Sequence, residues 1–415
     1  MAGLYPNNAV LLLAEKHAGE FVRKNLRGNG VNLVQSYSLI SAAEKIQKLH
    51  PRVLVVDGDN SEFRLDELSH LVKFEPGLRY VPVLVLKSDG NIKPQSESSA
   101  FLHVEVINKE NSDKGKLRER IDQHLEPSVS IKFWGVRGST PCANMENMRY
   151  GGNTTCVQID APFLNSFLIL DCGTGIRNLG NQIMKYRSEG VKGDLFITHP
   201  HWDHIQGFPF FKPFYHSNNQ FAIHMPDQDG RSTEEIISGH LSKTFFPVTL
   251  DMLSSSLEYI TQPCEIQEFD GYTVETILSN HPINTAIYKF NIGGYVIVFC
   301  PDNEIDREDK NYSMDQLEHF IAGCDVLIHD GQFNNETYPE KRGWGHSAWE
   351  SVIELAEKCN VKHLYITHHD PDSSDSHLDE IAKKIKKSHT GSFTDIALAR
   401  EGATIKLPLR RVLSE

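Results

Sequence analysis

The sequence predicts two α/β units in one chain, the first of which is a doubly wound parallel sheet of five strands. Three observations lead to this prediction. The chain has 415 residues, more than one ordinary domain needs. Its first 125 residues alternate short β-branched runs with helix-like stretches. Farther along, several apolar runs each end on a histidine or an aspartate. We therefore expect a first domain over residues 1–126 and a second over residues 129–415.

The predicted strands of the first domain are five short apolar runs, namely AVLLLAE, VNLVQSY, VLVVDG, VPVLVLK and HVEVIN. Helix-like stretches lie between them. In the last of these stretches, Leu117, Ile121 and Leu125 recur every four residues and form one apolar stripe. Such an alternation is typical of a parallel sheet that binds its ligands at the carboxyl ends of the strands. Asp57 lies at one of these ends.

This first half resembles the receiver domains of two-component signalling. Asp57 falls where receivers carry their phosphate-accepting aspartate, and Lys109 matches their lysine after the fifth strand. The acidic pair that holds magnesium in receivers is reduced to Glu15 beside Ala14, and the hydroxyl residue after the fourth strand could only be Ser88. The resemblance implies a degenerate receiver that serves regulation or assembly as a homodimer. Asp57 is the candidate phosphoacceptor, with a histidine kinase as partner, or else a strand-end residue that caps the next turn.

Composition and charge argue against several classes of protein. No apolar run approaches the roughly 20 residues of a membrane helix, and the N-terminus lacks a signal pattern, so we expect a cytoplasmic protein without a membrane partner. The seven cysteines are scattered without CxxC spacing, which argues against a disulfide framework and a thiolate zinc site. A net charge of -13 argues against broad, nonspecific binding of nucleic acid.

A metal centre is indicated by the segment FITHPHWDHIQGFPFF, in which His199, His201, Asp203 and His204 follow a strand-like run. Residues two apart at a strand end can point to the same side, and the following turn brings the later two back toward them. Imidazole nitrogens and a carboxylate oxygen are the ligands that hold zinc, manganese or iron in proteins.

Further candidate ligands follow other strand-like runs. His281 follows the run before LSNHPIN, Asp302 ends GYVIVFCPD, and HLYITHHDP ends on His368 and His369. Several strands that each finish on a possible ligand indicate a site built along one edge of a sheet.

The order of these motifs resembles that of the metallo-β-lactamase fold superfamily, whose signature is HxHxDH. The resemblance covers about residues 131–406 and implies an αββα sandwich that binds two divalent metal ions, zinc first, with manganese or iron as alternatives. Asp171 would orient a ligand histidine. The register of the family favours His368 over His369 as a ligand. The resemblance implies one metal on His199, His201 and His281, a second on Asp203, His204 and His368, and Asp302 as the bridge.

Within the superfamily, DVLIHDGQF and GWGHSAWESVIELA resemble the phosphodiesterase branch, which includes tRNase Z, the class II cyclic-nucleotide phosphodiesterases and the PhnP-type cyclic-phosphate enzymes. Asp330 stands where that branch has a glutamate, as an outer partner of the site. A water bridging the two metals would lose its proton near neutral pH, and the hydroxide would attack phosphorus. Asp203 and His346 are the predicted catalytic residues, with His346 as the acid that protonates the leaving alkoxide.

The function predicted from these features is that of a phosphodiesterase for a small nucleotide or cyclic phosphate, such as a cyclic nucleotide. The alternatives are a tRNase Z-like RNA-processing nuclease, a hydrolase of thioesters, lactones or sulfate esters, and a non-catalytic nucleotide-binding signalling protein. The acidic charge, and the lack of a recognisable long basic arm like that of tRNase Z, favour a small substrate over RNA.

Overall fold

The structure of the protein is a computed structural model. It describes residues 9–26, 31–49, 51–63, 68, 81–88, 104–109, 114–125, 127–186, 190–244, 246–307, 312–388 and 391–409. The chain divides into two compact units, Ala2–Ser128 and Val129–Glu415. Among the described residues, no helix combines the length and the apolar character that crossing a bilayer requires.

The first unit contains a five-stranded sheet in the order β2-β1-β3-β4-β5, in which all neighbouring strands are parallel. The predicted parallel sheet is therefore confirmed. The start of the predicted fifth strand, at His103, lies outside the described residues. The strands are β1 (Ala9–Leu13), β2 (Asn32–Ser36), β3 (Val53–Asp57), β4 (Val83–Lys87) and β5 (Val104–Asn108).

Alternating side chains of these strands bury opposite faces of the sheet. Leu11 and Leu13 belong to one apolar cluster, whereas Val10 and Leu12 belong to another. Helix α2 contributes to the first cluster, and helices α1 and α3 contribute to the second. Helices therefore cover both faces, which explains why the strands are apolar throughout. The helices are α1 (Lys16–Leu26), α2 (Leu39–Leu49) and α3 (Lys114–Leu125).

The second unit contains two mixed sheets of seven strands, in the orders β11-β10-β9-β8-β7-β6-β19 and β12-β13-β14-β15-β16-β17-β18. The strands of the first of these sheets are β6 (Ser128–Gly135), β7 (Cys156–Asp160), β8 (Phe167–Leu170), β9 (Lys192–Phe196), β10 (Gln220–Met225), β11 (Ser256–Thr261) and β19 (Thr404–Pro408). Those of the second are β12 (Ile266–Phe269), β13 (Tyr272–Leu278), β14 (Ala286–Ile292), β15 (Tyr295–Cys300), β16 (Val326–Asp330), β17 (His363–Thr367) and β18 (Asp395–Leu398).

The main apolar core of this unit lies between the two sheets. Phe196 of β9 meets Tyr288 and Phe290 of β14 at ring-centroid distances of 5.3 and 5.4 Å, both edge to face. A second core lies on the outer face of the second sheet, under α7, α8 and α9. The helices of this unit are α4 (Ile176–Tyr186), α5 (Trp202–Ile205), α6 (Thr233–His240), α7 (Met314–Ile321), α8 (Trp349–Lys358) and α9 (Asp375–Ser388).

The parallel parts of both sheets position the candidate site. Strands β8 and β9 are parallel neighbours in the first sheet, and β15, β16 and β17 are parallel neighbours in the second. Because parallel strands deliver their carboxyl ends to the same edge, the residues that follow these strands come together. The residues concerned are Asp171, His199, Asp302, Asp330 and His368.

Candidate metal centre

The HxHxDH segment leaves the end of β9 in an extended conformation and then forms the short helix α5. His201 precedes the helix with an extended backbone, at φ −60° and ψ 149°. Asp203 and His204 lie within the helix, and the turn carries the His204 ring to a centroid distance of 4.3 Å from that of His199. The spacing of the motif predicts a strand end followed by a turn, and the structure has this arrangement.

Three imidazoles converge on one side of the cluster. His201 Nδ1 lies 2.9 Å from His199 Nε2 and 3.1 Å from His281 Nε2. Burial lowers the pKa of His199 well below its ordinary value, so this ring is neutral and its nitrogen lone pair is available to a metal. The three nitrogens lie within 4.8 Å of one another, a compact set of donors for one cation.

A second group of donors lies beside the first. Asp203 Oδ2 is 3.0 Å from His368 Nε2 and 3.3 Å from His204 Nε2. The two imidazoles stack at a centroid distance of 5.4 Å. One carboxylate and two imidazoles again form a set within 4.8 Å.

The carboxylate of Asp302 lies between the two groups. Its Oδ1 is 3.2 Å from His204 Nε2, and its Oδ2 is 3.7 Å from His199 Nε2. Burial alone would raise the pKa of Asp302, but the charges of His204 and His368 hold that pKa well below its ordinary value. Asp302 Oδ1 is buried and accepts no hydrogen bond among the described residues. An ionised oxygen in this state is suited to a cation.

Groups around the cluster fix the orientation of its imidazoles. Asp171 Oδ2 lies 2.8 Å from His204 Nδ1, and Asp171 Oδ1 accepts a hydrogen bond from the amide of Thr198 at 2.7 Å. His281 Nδ1 is 3.1 Å from the carbonyl oxygen of Gly345. The contacts to His204 and His281 engage Nδ1 and leave Nε2 toward the cluster, as metal-ligating histidines require.

His346 lies over this cluster on the loop that precedes α8. Its ring stacks on His368 at a centroid distance of 4.7 Å, and its Nδ1 is 3.8 Å from Asp302 Oδ2. Nδ1 is buried and has no hydrogen-bond partner among the described residues. Burial lowers the pKa of His346 well below its ordinary value, with a further lowering from His368.

Part of the second unit is similar to a known protein family. Residues 167–369, which include all the predicted ligands, match the family described as the beta-lactamase superfamily domain. Residues 167–369 of the second unit belong to the beta-lactamase superfamily. The predictions of a metallo-β-lactamase fold and of a metal-dependent hydrolase are thereby confirmed.

Several relatives of the chain carry the name Ribonuclease Z. The protein of Thermoplasma acidophilum is 24% identical over 310 residues, which are 64% of this chain and 94% of that protein. The protein of Oceanobacillus iheyensis is 24% identical over 275 residues, which are 54% of this chain and 85% of that protein. Among solved structures, unliganded yeast PDE1 superposes with a TM-score of 0.51 at 17% identity, covering 68% of this chain and all of that one. The last likeness shows the fold alone.

In the beta-lactamase superfamily domain, the side chains of the two adjacent histidines after β17 have different surroundings. His368 has a positive φ of 57° and turns its ring into the cluster. His369 turns away, and its Nε2 donates a hydrogen bond to the carbonyl of Ala399 at 2.8 Å. Burial lowers the pKa of His369 to about 3. The structure therefore brings His368 to the site and places His369 in the surrounding framework.

Asp330 supports the site without reaching His346 by a hydrogen bond. Its Oδ2 accepts from the amide of Ser347 at 2.7 Å, and its Oδ1 accepts from the amide of Asn303 at 3.1 Å. The distance from Asp330 Oδ2 to His346 Nδ1 is 3.9 Å. Asp330 thus joins the segment after Asp302 to the loop that carries His346.

Two residues of the domain were not found from the sequence. Glu304 has no exposed surface and accepts hydrogen bonds from Tyr338 Oη, Gly343 N and Gly345 N at 2.9, 2.7 and 2.9 Å. Gln332 Oε1 lies 3.2 Å from His368 Nδ1. Glu304 directly follows the CPDN motif, which was the available signal, whereas a lone glutamine gives none.

In the first unit, the structure places Asp57 in a small polar network. Lys109 Nζ contacts the Asp57 carboxylate and lies 2.6 Å from Asp59 Oδ2. Ser88 Oγ donates to the same Asp59 oxygen at 2.7 Å. Glu15 Oε1 accepts from Asn60 at 3.3 Å. Asp59 is therefore the residue that joins Lys109 to Ser88.

Proposed function

We propose that this chain is a dinuclear metal-dependent phosphodiesterase that hydrolyses a small nucleotide or a cyclic phosphate diester. The observation that carries the proposal is the pair of donor groups with the Asp302 carboxylate between them and His346 above them. Two adjacent cation sites beside a histidine suit phosphoryl chemistry, in which both the attacking and the leaving oxygen need stabilisation.

The residues present fit two divalent metal ions. The donors are imidazole nitrogens and carboxylate oxygens, which suit zinc, manganese or iron. Asp302 Oδ1, which is buried and accepts no hydrogen bond from the described residues, also calls for a cation. The first ion would be held by His199, His201 and His281, the second by Asp203, His204 and His368, and both by Asp302.

When bound, such ions lower the pKa of water and neutralise charge on phosphoryl oxygens. The protein itself orients the ligand histidines. Asp171, the carbonyl of Gly345 and Gln332 each engage the Nδ1 of a ligand histidine, so the Nε2 atoms of His204, His281 and His368 stay directed at the cluster. Fixed ligands hold the substrate in one geometry, which reduces the entropy lost on reaching the transition state.

His346 would move the proton that the leaving oxygen needs. Its Nδ1 faces Asp302 and has no competing partner among the described residues, so that it can turn its proton to a substrate. Burial disfavours the charged ring, whereas Asp302 and Asp203 favour it. An anionic phosphodiester bound in the same site would add to the second effect and make His346 a proton donor.

An RNA-processing nuclease is the second candidate function, because the relatives described above are named Ribonuclease Z. The net charge of -13 favours a small substrate, since RNA binding relies on neutralising many phosphates. Hydrolysis of a thioester, lactone or sulfate ester, or nucleotide binding without turnover, would each give a distinct result in the same experiment.

For the first unit, we propose a receiver-like module that acts in regulation or assembly, with homodimerisation as its expected mode. The sheet order 2-1-3-4-5 is the flavodoxin-like order, and the contact between Lys109 and Asp57 supports the match at the strand ends. A histidine kinase partner remains a prediction.

The test is a substrate panel on purified protein stripped of metal by chelation and reloaded with zinc, manganese or iron. The panel contains bis-p-nitrophenyl phosphate, 2′,3′- and 3′,5′-cyclic nucleotides, a precursor tRNA, a thioester and a lactone. We expect metal-dependent cleavage of the small diesters and none by His201→Ala, which removes a nitrogen from the first donor group. Full activity without metal, or faster cleavage of the precursor tRNA or of a carboxylic ester, would overturn the proposal.

A further inference from the structure

Ser139 is an exposed residue at the edge of the candidate metal centre. It follows β6 by four residues, and its backbone amide donates to Asp203 Oδ2 at 2.7 Å. The same oxygen lies 3.0 Å from His368 Nε2. Ser139 is therefore fixed directly beside the second donor group.

The backbone at this point is held in an unusual conformation. Ser139 has a φ of +60°, which L-residues other than glycine, asparagine and aspartate seldom adopt. The preceding Gly138 packs against His368 so closely that an added Cβ would lie 2.2 Å from His368 Nδ1. The loop thus follows the surface of the ligand cluster, and strain of this kind persists where the surroundings enforce it.

The hydrogen bonds around Ser139 indicate whether its hydroxyl acts as a donor or an acceptor. With Nε2 of His368 directed at the cluster, its Nδ1 carries the proton and donates to Gln332 Oε1 at 3.2 Å. The amide nitrogen of Gln332 then donates to Ser139 Oγ at 3.3 Å. The Ser139 oxygen is an acceptor in this contact, so its own hydrogen must find another partner. Within the described part of the chain, no side chain or backbone group accepts it.

We propose that the Ser139 hydroxyl donates a hydrogen bond to a non-bridging oxygen of the phosphodiester, which makes Ser139 a substrate-binding residue. This inference rests on the proposed function. Because the Ser139 amide contacts Asp203 and the residue is exposed, its hydroxyl would be within reach of a substrate bound beside the second donor group. The relay from His368 through Gln332 to Ser139 orients the donor before substrate arrives, so that little reorganisation is needed on binding.

The experiment compares Ser139→Ala and Ser139→Gly with the wild-type full chain. Both variants lack the hydroxyl, but glycine also accepts the positive φ, so it guards against misfolding of the alanine variant. Thr140→Val is the matched control, because it removes the neighbouring exposed hydroxyl. The readouts are kcat/KM on bis-p-nitrophenyl phosphate, affinity for inorganic phosphate by calorimetry, and metal content.

We expect both Ser139 variants to lose about 10- to 100-fold in kcat/KM and to bind phosphate more weakly, as suits a hydrogen bond to a charged oxygen. Metal content should stay unchanged, and Thr140→Val should behave as wild type. Ser139→Asn, which tolerates this backbone and restores a donor, should recover part of the loss.

Wild-type kcat/KM and phosphate affinity in both Ser139 variants would overturn the inference. Loss of metal together with activity would also overturn it, because Ser139 would then act through Asp203. A wild-type protein that cleaves no phosphodiester would overturn the proposed function, and the phosphate titration would still decide whether Ser139 is a donor.

Discussion

Replacing Glu304 by alanine removes the carboxylate that ties three points of the loop before His346. Its oxygens accept from Tyr338 Oη and Gly343 N on one side and from Gly345 N on the other. Two of these contacts are fully buried, and the third is partly buried. The carbonyl of Gly345 in turn contacts His281.

The size of the effect follows from these contacts. Hydrogen bonds to a charged group contribute about 1.5–3 kcal/mol each, and water entering at the partly buried Gly343 would recover part of the loss. We therefore expect Glu304→Ala to lower the free energy of unfolding by about 3–5 kcal/mol. In a unit of this size, each kcal/mol shifts Tm by about 2–4 °C, so Tm should fall by about 10 °C.

Thermal unfolding of the full chain measures this change, with Glu340→Ala as the matched control. Glu340 is an exposed carboxylate of the same loop, so its removal should leave Tm nearly unchanged. Glu304→Gln keeps an acceptor for Tyr338 and Gly343 but turns an amide toward Gly345, and its Tm should lie between wild type and alanine. If Glu304→Ala and Glu340→Ala unfold at the same temperature, the loop does not depend on this carboxylate.

Four further predictions concern separate parts of the chain. Asp302→Ala should halve or abolish metal binding, and mass spectrometry showing an unchanged metal content would contradict its position between the ions. His346→Ala should slow alkyl phosphodiesters by roughly 10²- to 10⁴-fold and bis-p-nitrophenyl phosphate much less, whereas equal losses would indicate a positioning role. Asp57→Ala should leave hydrolysis within about threefold, and stable labelling of Asp57 by acetyl phosphate with a large change in activity would refute this. Burial lowers the pKa of His224 from 6.5 to about 4, so as pH falls through this range the unfolded chain takes up a proton that the folded chain does not. Stability should then fall by about 1.4 kcal/mol per pH unit, and His224→Leu should lessen that slope in acid denaturation curves; an identical slope would show that other groups cause it.

The residues that cluster in the candidate metal centre could be predicted from the sequence, because each lies next to a local signal. His199 and His201 follow an apolar strand at a spacing that determines their common side, and Asp302 and His368 end comparable strands. Local backbone geometry then brings most of each donor group together, and the parallel strand order does the rest.

The orienting residues could not be predicted, because their partners are distant in sequence and their residue types are common. Gln332 and Ser139 are separated by 193 positions, and only the packing of the two sheets brings them into contact. Glutamate is usually a surface residue, and the burial of Glu304 depends on a loop about 40 residues farther along the chain. Nothing in a single sequence distinguishes such a glutamate from a solvated one.

In the first unit, the strand pattern predicted the parallel sheet, since strands buried on both faces are apolar throughout. Lys109 contacts Asp57 because both residues lie at carboxyl ends of strands in one parallel sheet, and these ends share one edge. The engagement of Asp59 by both Lys109 and Ser88 depends on side-chain reach across that edge, which no local pattern encodes.

The donor groups draw residues from loops of both sheets, from His199 to His368, so the centre exists only while the two sheets are packed together. On the proposed metal site, each tenfold excess of free metal over Kd adds about 1.4 kcal/mol to the stability of the folded chain. A change of this size alters the fraction of chains that cellular proteases remove. Metal starvation would therefore reduce the abundance of the protein as well as its turnover, and restoring activity would require new synthesis in addition to reloading.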